Sequence, residues 1–126
     1  MKIATVSLFV NNPLEAHKFY TEVLGFTSKL FMPEMYLAIV ASSEEPNGTS
    51  LLLEPNNNPI AKTYQDALRK ESLPSITFGT TDIQQDYERL KAKGVKFTQE
   101  PTQQDWGIEA VFDDTCGNFI QLVQIP

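Results

Sequence analysis

Cysteine, histidine and tryptophan occur once each in these 126 residues, as Cys116, His17 and Trp106. A single cysteine cannot close an internal disulfide, and Cys116 has no Lys, Arg or His beside it to activate its thiol as a nucleophile. A single histidine cannot supply both imidazoles of a two-histidine, one-carboxylate iron site within one chain. The six glycines form no phosphate-cradling loop. No apolar run approaches the ~20 residues a membrane helix needs. Positive charge is also scarce: Lys and Arg number 10 against 16 Asp and Glu, a formal charge of −6. Without a basic stripe, neither nucleic acid nor an anionic membrane is an expected partner, because phosphate binding begins with clustered cations. Met1-Lys2-Ile3 leads straight into a strand pattern with no secretory hydrophobic run, so a cytoplasmic location is expected.

What the chain does contain, it contains twice. Val6 to Gly25 reads as an alternating strand, a polar cap at Asn12 with Pro13 in the first helical turn, an amphipathic helix and a stop at Gly25. Ile76 to Gly94 repeats the sentence, with Asp82 as the cap and Gly94 as the stop. Strand-like runs follow each copy: 26–31, 36–41 and 50–54 in the first, then 95–98, 108–112 and 119–124 in the second. Residues 55–60 have linker chemistry, and Ala61 to Lys70 reads as a connecting helix. The chain is therefore expected to be one α+β domain over residues 1–126. It comprises a βαβββ module over 1–54, a connector over 55–74 and a second βαβββ module over 75–126, the two closing as a curved mixed-sheet cup.

Each first strand has two unlike faces. Val6, Leu8 and Val10 point one way, to be covered by the stripe Leu14, Phe19, Val23 and Leu24 of the following helix; Thr5, Ser7 and Phe9 point the other way. In the second copy the uncovered positions are Ser75, Thr77 and Gly79. Small polar residues on a sheet face suit a concave site for a modest organic ligand better than they suit a packed core. His17 falls on the outward side of its helix and reads as a solvated residue.

The doubled pattern, the helix text Ala-His-Lys-Phe-Tyr-Thr-Glu-Val-Leu-Gly-Phe and the late Asp-Asp-Thr-Cys-Gly-Asn-Phe-Ile-Gln-Leu resemble the vicinal oxygen chelate superfamily of glyoxalase I, extradiol dioxygenases, fosfomycin-resistance enzymes and bleomycin-binding proteins. The likeness spans essentially the whole chain and implies the fold; one fold of this kind hosts several chemistries. The family's metalloenzymes take their ligands from places that correspond here to Thr5, Glu54, Ser75 and Gln121. Of these only Glu54 is a good metal ligand; two hydroxyls and an amide stand where imidazoles and a carboxylate are usual. The resemblance thus implies a family member without the usual metal centre, although Glu54, Gln121 and waters could still hold a hard cation such as Mg²⁺. It also implies a homodimer. The Asp113–Asn118 run resembles the family's Asp-Pro-x-Gly-Asn turn, with Thr115 where proline is usual, and reads as a turn joining the last two strands.

The candidate ligand-binding residues are Thr5, Ser7, Tyr36, Glu54, Ser75, Trp106, Glu109 and Gln121. Glu54 ends the repeated unit after Leu51-Leu52-Leu53 and suits a proton acceptor or an anchor for a ligand's donor group; it is the one candidate catalytic residue. Trp106, in a loop before Gly107, offers either a core-edge cap or a flat surface for an aromatic or cationic ligand. Glu109 would add a second carboxylate, and Tyr36 a rim. Two functions follow. One is a metal-independent binding protein whose acidic site takes a cationic or donor-rich small organic molecule. The other is a glyoxalase- or dioxygenase-like enzyme using Glu54 as base or an atypical metal.

Overall fold

A computed structural model describes all 126 residues. The chain forms eight strands, β1 (Thr5–Val10), β2 (Thr27–Met32), β3 (Leu37–Ala41), β4 (Ser50–Pro55), β5 (Ile76–Gly79), β6 (Phe97–Gln104), β7 (Gly107–Asp113) and β8 (Phe119–Gln124). The helices are α1 (Pro13–Lys18), α2 (Pro59–Lys70) and α3 (Ile83–Ala92). Two compact units divide the chain, residues 1–64 and 65–126, with the boundary inside α2. The expected connector is therefore shared between them.

The first unit carries a four-stranded sheet in the order β1-β4-β3-β2, the second one in the order β5-β8-β7-β6. In each the first strand pairs in parallel with the last, and the remaining pairs are antiparallel. A parallel neighbour requires a crossover, and the helix after each first strand supplies it. Asn12 caps α1 by accepting from the Leu14 amide at 2.9 Å, and Asp82 caps α3 by accepting from the Gln85 amide at 3.0 Å.

The first unit's core is Leu8, Val10, Ala16, Tyr20, Ala38, Val40, Leu51 and Leu53, with α1 packed on β3 and β4. Two expectations need correction here. The helix buries Pro13, Ala16 and Tyr20 rather than the stripe Leu14, Phe19, Val23 and Leu24, because after Lys18 it widens into a π-helical turn, Phe19–Val23, that rotates its face. Val6, at the start of β1, is 43% exposed. In the second unit Ile83 and Leu90 of α3 pack with Val95, Ala110, Phe112, Ile120 and Leu122. Strand β6 runs six residues past its expected end, through Pro101, which an edge strand tolerates because no partner needs its missing N–H.

His17 is not simply solvated. Its ring stacks on Phe31 with centroids 4.0 Å apart, and its Nε2 lies 2.8 Å from the Ser28 hydroxyl, so it fastens α1 to β2. Burial lowers its pKa below the ordinary 6.5, with the charge of Glu22 pulling the other way.

The Asp113–Asn118 turn also does more than join strands. Fully buried Asp114 accepts from the Cys116 and Asn118 amides at 2.7 and 3.0 Å and from Asn118 Nδ2 at 3.0 Å. Asn118 Oδ1 in turn accepts from Gln65 of α2 at 3.2 Å and from the Ser75 hydroxyl at 3.0 Å. Arg69 of α2 pairs with Asp113 at 2.8 Å and lies over the Phe119 ring. Burial alone would raise the Asp113 pKa, but hydrogen bonds from the Arg69 guanidinium and the Thr115 amide hold it below the usual carboxylate value.

Two outcomes are expected. Asn118→Ala removes an acceptor from Gln65 and Ser75 and a donor from Asp114, so urea unfolding should show a loss of about 3 kcal/mol. Because the unfolded chain binds the His17 proton more readily than the folded one, His17 contributes fully above pH 6.5 and less as pH falls below it. The urea midpoint should therefore drop between about pH 7 and pH 5, and His17→Gln should flatten that slope.

Candidate functional site

A sheet covered by one helix leaves its other face open, and strand alternation decides which side chains stand there. In the second unit Ile120, Leu122, Ala110 and Phe112 point toward α3 and are buried. Their neighbours Gln121, Glu109 and Val111 therefore point the other way, joined by Thr77 of β5, which is directly opposite Gln121.

These open-face residues form one hydrogen-bonded array. The Thr77 hydroxyl donates to Gln121 Oε1 at 2.8 Å, and Gln121 Nε2 donates to Glu109 Oε2 at 2.7 Å. The other Glu109 oxygen receives Gln104 Nε2 at 3.0 Å and Gln99 Nε2 at 3.5 Å, both from β6. Glu109 is half-buried, and its carboxylate is held by three neutral amides without a basic side chain at ion-pair distance. Trp106 stands 48% exposed in the β6–β7 turn, whose shape is fixed by Gly107. At φ +155° its α-carbon passes so near the Gln124 carbonyl that a Cβ would lie 2.4 Å from that oxygen. Gln103 closes the turn by donating to the Gly107 carbonyl at 3.2 Å.

On the first unit's open face stand Thr5 and Ser7, both exposed, with half-buried Phe9, Leu52, Ile39 and Glu54. Phe9 and Glu54 are register partners across the parallel β1–β4 pair. The Glu54 carboxylate makes neither a hydrogen bond nor an ion pair, while its backbone lies in the β1–β4 ladder. Tyr36 follows a short 3₁₀ turn, Pro33–Met35, in the left-handed conformation at φ 52° and is 50% exposed.

Within the second unit, then, the fold brings Glu109 and Gln121 into direct contact. Ser75 belongs elsewhere: it precedes β5, and its hydroxyl is spent on Asn118. Thr77, an uncovered position in the sequence pattern, joins the array as expected of that face, and Gln99 and Gln104 complete it without having been singled out from sequence. The signal for them was the glutamine-rich run from Gln99 to Gln104, which strand β6 lays beside β7.

The donor chemistry at the positions corresponding to the family's metal ligands is plain. Ser75 donates to Asn118, and Gln121 is engaged at both ends of its amide. No three His, Cys, Asp or Glu side chains are grouped to hold an ion. An amide and two hydroxyls fit a catalytic transition metal poorly.

A family model for the glyoxalase/bleomycin resistance protein/dioxygenase superfamily matches residues 2–122. The chain belongs to that superfamily. It is 50% identical to the uncharacterized protein YurT of Bacillus subtilis (strain 168), over 98% of this chain and 99% of YurT. Among solved structures it is similar to UcmS2, with a TM-score of 0.81 and 28% identity over 98% of this chain and 97% of that one. It is also similar to TnmS3, an antibiotic binding protein from Streptomyces sp. CB03234, with a TM-score of 0.75 and 27% identity over 100% and 97% of the two chains. Two tandem α+β modules with four-stranded mixed sheets are the fold shared with these solved structures.

The Gln121–Glu109 contact makes a sharp test of the array. Gln121→Glu places a second carboxylate where the amide donates at 2.7 Å, and two such groups repel each other while both are ionised. The substitution should cost about 1–2 kcal/mol at about pH 7 and markedly less at about pH 4, where the pair shares a proton, as read by denaturant unfolding at the two pH values.

Proposed function

We propose that this chain binds a small organic molecule on the open faces of its sheets and does so without a catalytic metal. The observation that carries the reading is the Glu109 array. A half-buried carboxylate surrounded by amides on an uncovered sheet face is costly as packing, since apolar residues would serve a core better, and useful as a recognition surface. Val111 and Trp106 supply apolar and aromatic surface in the same unit, and the likeness to TnmS3, an antibiotic binding protein, supports a ligand of natural-product size. On the first unit, Ser7, Phe9 and Glu54 offer a further mixed polar and aromatic surface, with Thr5 and Tyr36 beside it. The absence of imidazole and the prior engagement of Gln121 favour binding by hydrogen bonds and stacking over coordination.

A second reading keeps Glu54 as a general base. It is favoured by one observation: that carboxylate is half-buried and makes no hydrogen bond, so it is available to take a proton from a substrate. An enolate formed this way would need a stabilising donor.

The test is direct. A panel of aromatic antibiotics and related natural products should include a compound that saturably quenches the fluorescence of Trp106. Dialysis against a chelator should leave that titration unchanged, and protein purified without chelator should carry no stoichiometric transition metal. Loss of binding on chelation, restored by one added metal, overturns the metal-free reading. Turnover abolished by Glu54→Gln with binding retained would establish the second.

A further inference from the structure

The open face of the second sheet specifies more than a ligand in general. Glu109 carries a formal negative charge balanced only by dipoles: one short contact from Gln121 at 2.7 Å, one from Gln104 at 3.0 Å and one at the limit of hydrogen bonding from Gln99 at 3.5 Å. A carboxylate has about four lone-pair sites, so three donors leave one on Oε2 open, and the long Gln99 contact on Oε1 is readily surrendered. The two released positions lie on different oxygens of one planar group. That is the arrangement a planar cation with two parallel N–H bonds occupies.

The surroundings fit such a cation. Val111 is the direct cross-strand partner of both Gln121 and Gln99 and lies two residues from Glu109, so an apolar patch adjoins the carboxylate on the same face. The side-chain carbonyls of Gln99 and Gln104 are acceptors that a cation's remaining N–H groups can use. A neutral amide ligand would only exchange one dipole for another. An anionic ligand would meet the Glu109 charge.

Resting on the small-molecule-binding reading, we infer that Glu109 is the anchor for a planar N–H cation, an amidinium or guanidinium group carried on an apolar or aromatic body, with Gln104 and Gln121 orienting the carboxylate.

The probes are benzamidine, benzamide, benzylamine and benzoate, which share a ring and differ in charge and donor geometry. Titrated into isotope-labelled protein and followed by NMR, benzamidine should move the side-chain amide signals of Gln99, Gln104 and Gln121 saturably. It should bind about tenfold or more tightly than benzamide, with benzylamine between them and benzoate weakest, as expected for hydrogen bonds to a charged group. Glu109→Gln should abolish the preference for benzamidine, while Glu88→Gln, which removes an equal charge from exposed α3, should preserve it. A measurement on the unaltered protein gives an independent check: benzamidine affinity should fall as added salt shortens the screening length from about 30 Å at 0.01 M to about 3 Å at 1 M, and benzamide affinity should not.

Equal binding of benzamide and benzamidine, a preference that survives Glu109→Gln, salt-independent benzamidine affinity, or no binding of any probe overturns the assignment. The broader reading is judged separately by the antibiotic panel: a quenching ligand that binds equally well to Glu109→Gln sustains that reading and removes this one.

Discussion

One helix can cover one face of a four-stranded sheet, and each half of this chain supplies a single crossover helix to its sheet. That constraint organises the rest. The strand of each half that precedes the helix must pair in parallel with the half's last strand, and the face away from the helix is left with side chains that do not belong to a core. Alternation then sorts the residues: Leu8 and Val10 go inward while Ser7 and Phe9 go outward, and Ile120 and Leu122 go inward while Gln121 goes outward. The polar array on the second sheet is the product of this sorting.

Parallel pairing has a second consequence. It sets β5 beside β8 with Thr77 opposite Gln121, and the β7–β8 hairpin brings Glu109 within reach on the next strand, so three residues distant in sequence form a continuous hydrogen-bonded row. The buried turn Asp113–Asn118 holds this sheet in relation to α2 by accepting Gln65 and Ser75 and by pairing Asp113 with Arg69. A motif read as a simple connection is therefore a polar anchor, and it draws Ser75 away from the open face. The satisfied network costs little to bury because each oxygen and nitrogen in it has a partner.

The doubled βαβββ order, the caps at Asn12 and Asp82 and the inward strand residues Leu8 and Val10 were legible because each rests on local periodicity or local capping chemistry. Less legible were features that depend on contacts between elements. The π-helical turn after Lys18 rotated the buried stripe toward Tyr20, and the stacking of His17 on Phe31 turned an outward helix residue into a fastening. Strand β6 runs to Gln104 rather than ending at Thr98, and its passage through Pro101 depends on the strand lying at a sheet edge. Gln99 and Gln104 are not legible as site residues for the same reason: cross-strand register is a property of the pair, not of either strand.

By itself the sequence determined what chemistry was present: one histidine, one cysteine, a surplus of carboxylates, and amides or hydroxyls at positions where imidazole and carboxylate would make a metal centre. It also determined the two-fold repetition of elements, since periods of two and of 3.6 residues are written along the chain. Which of those groups meet was decided only by tertiary structure. A hydrogen bond of 2.7 Å between Gln121 and Glu109 requires the strand register to be right to a single residue, and a slip of one would send both side chains to the opposite face.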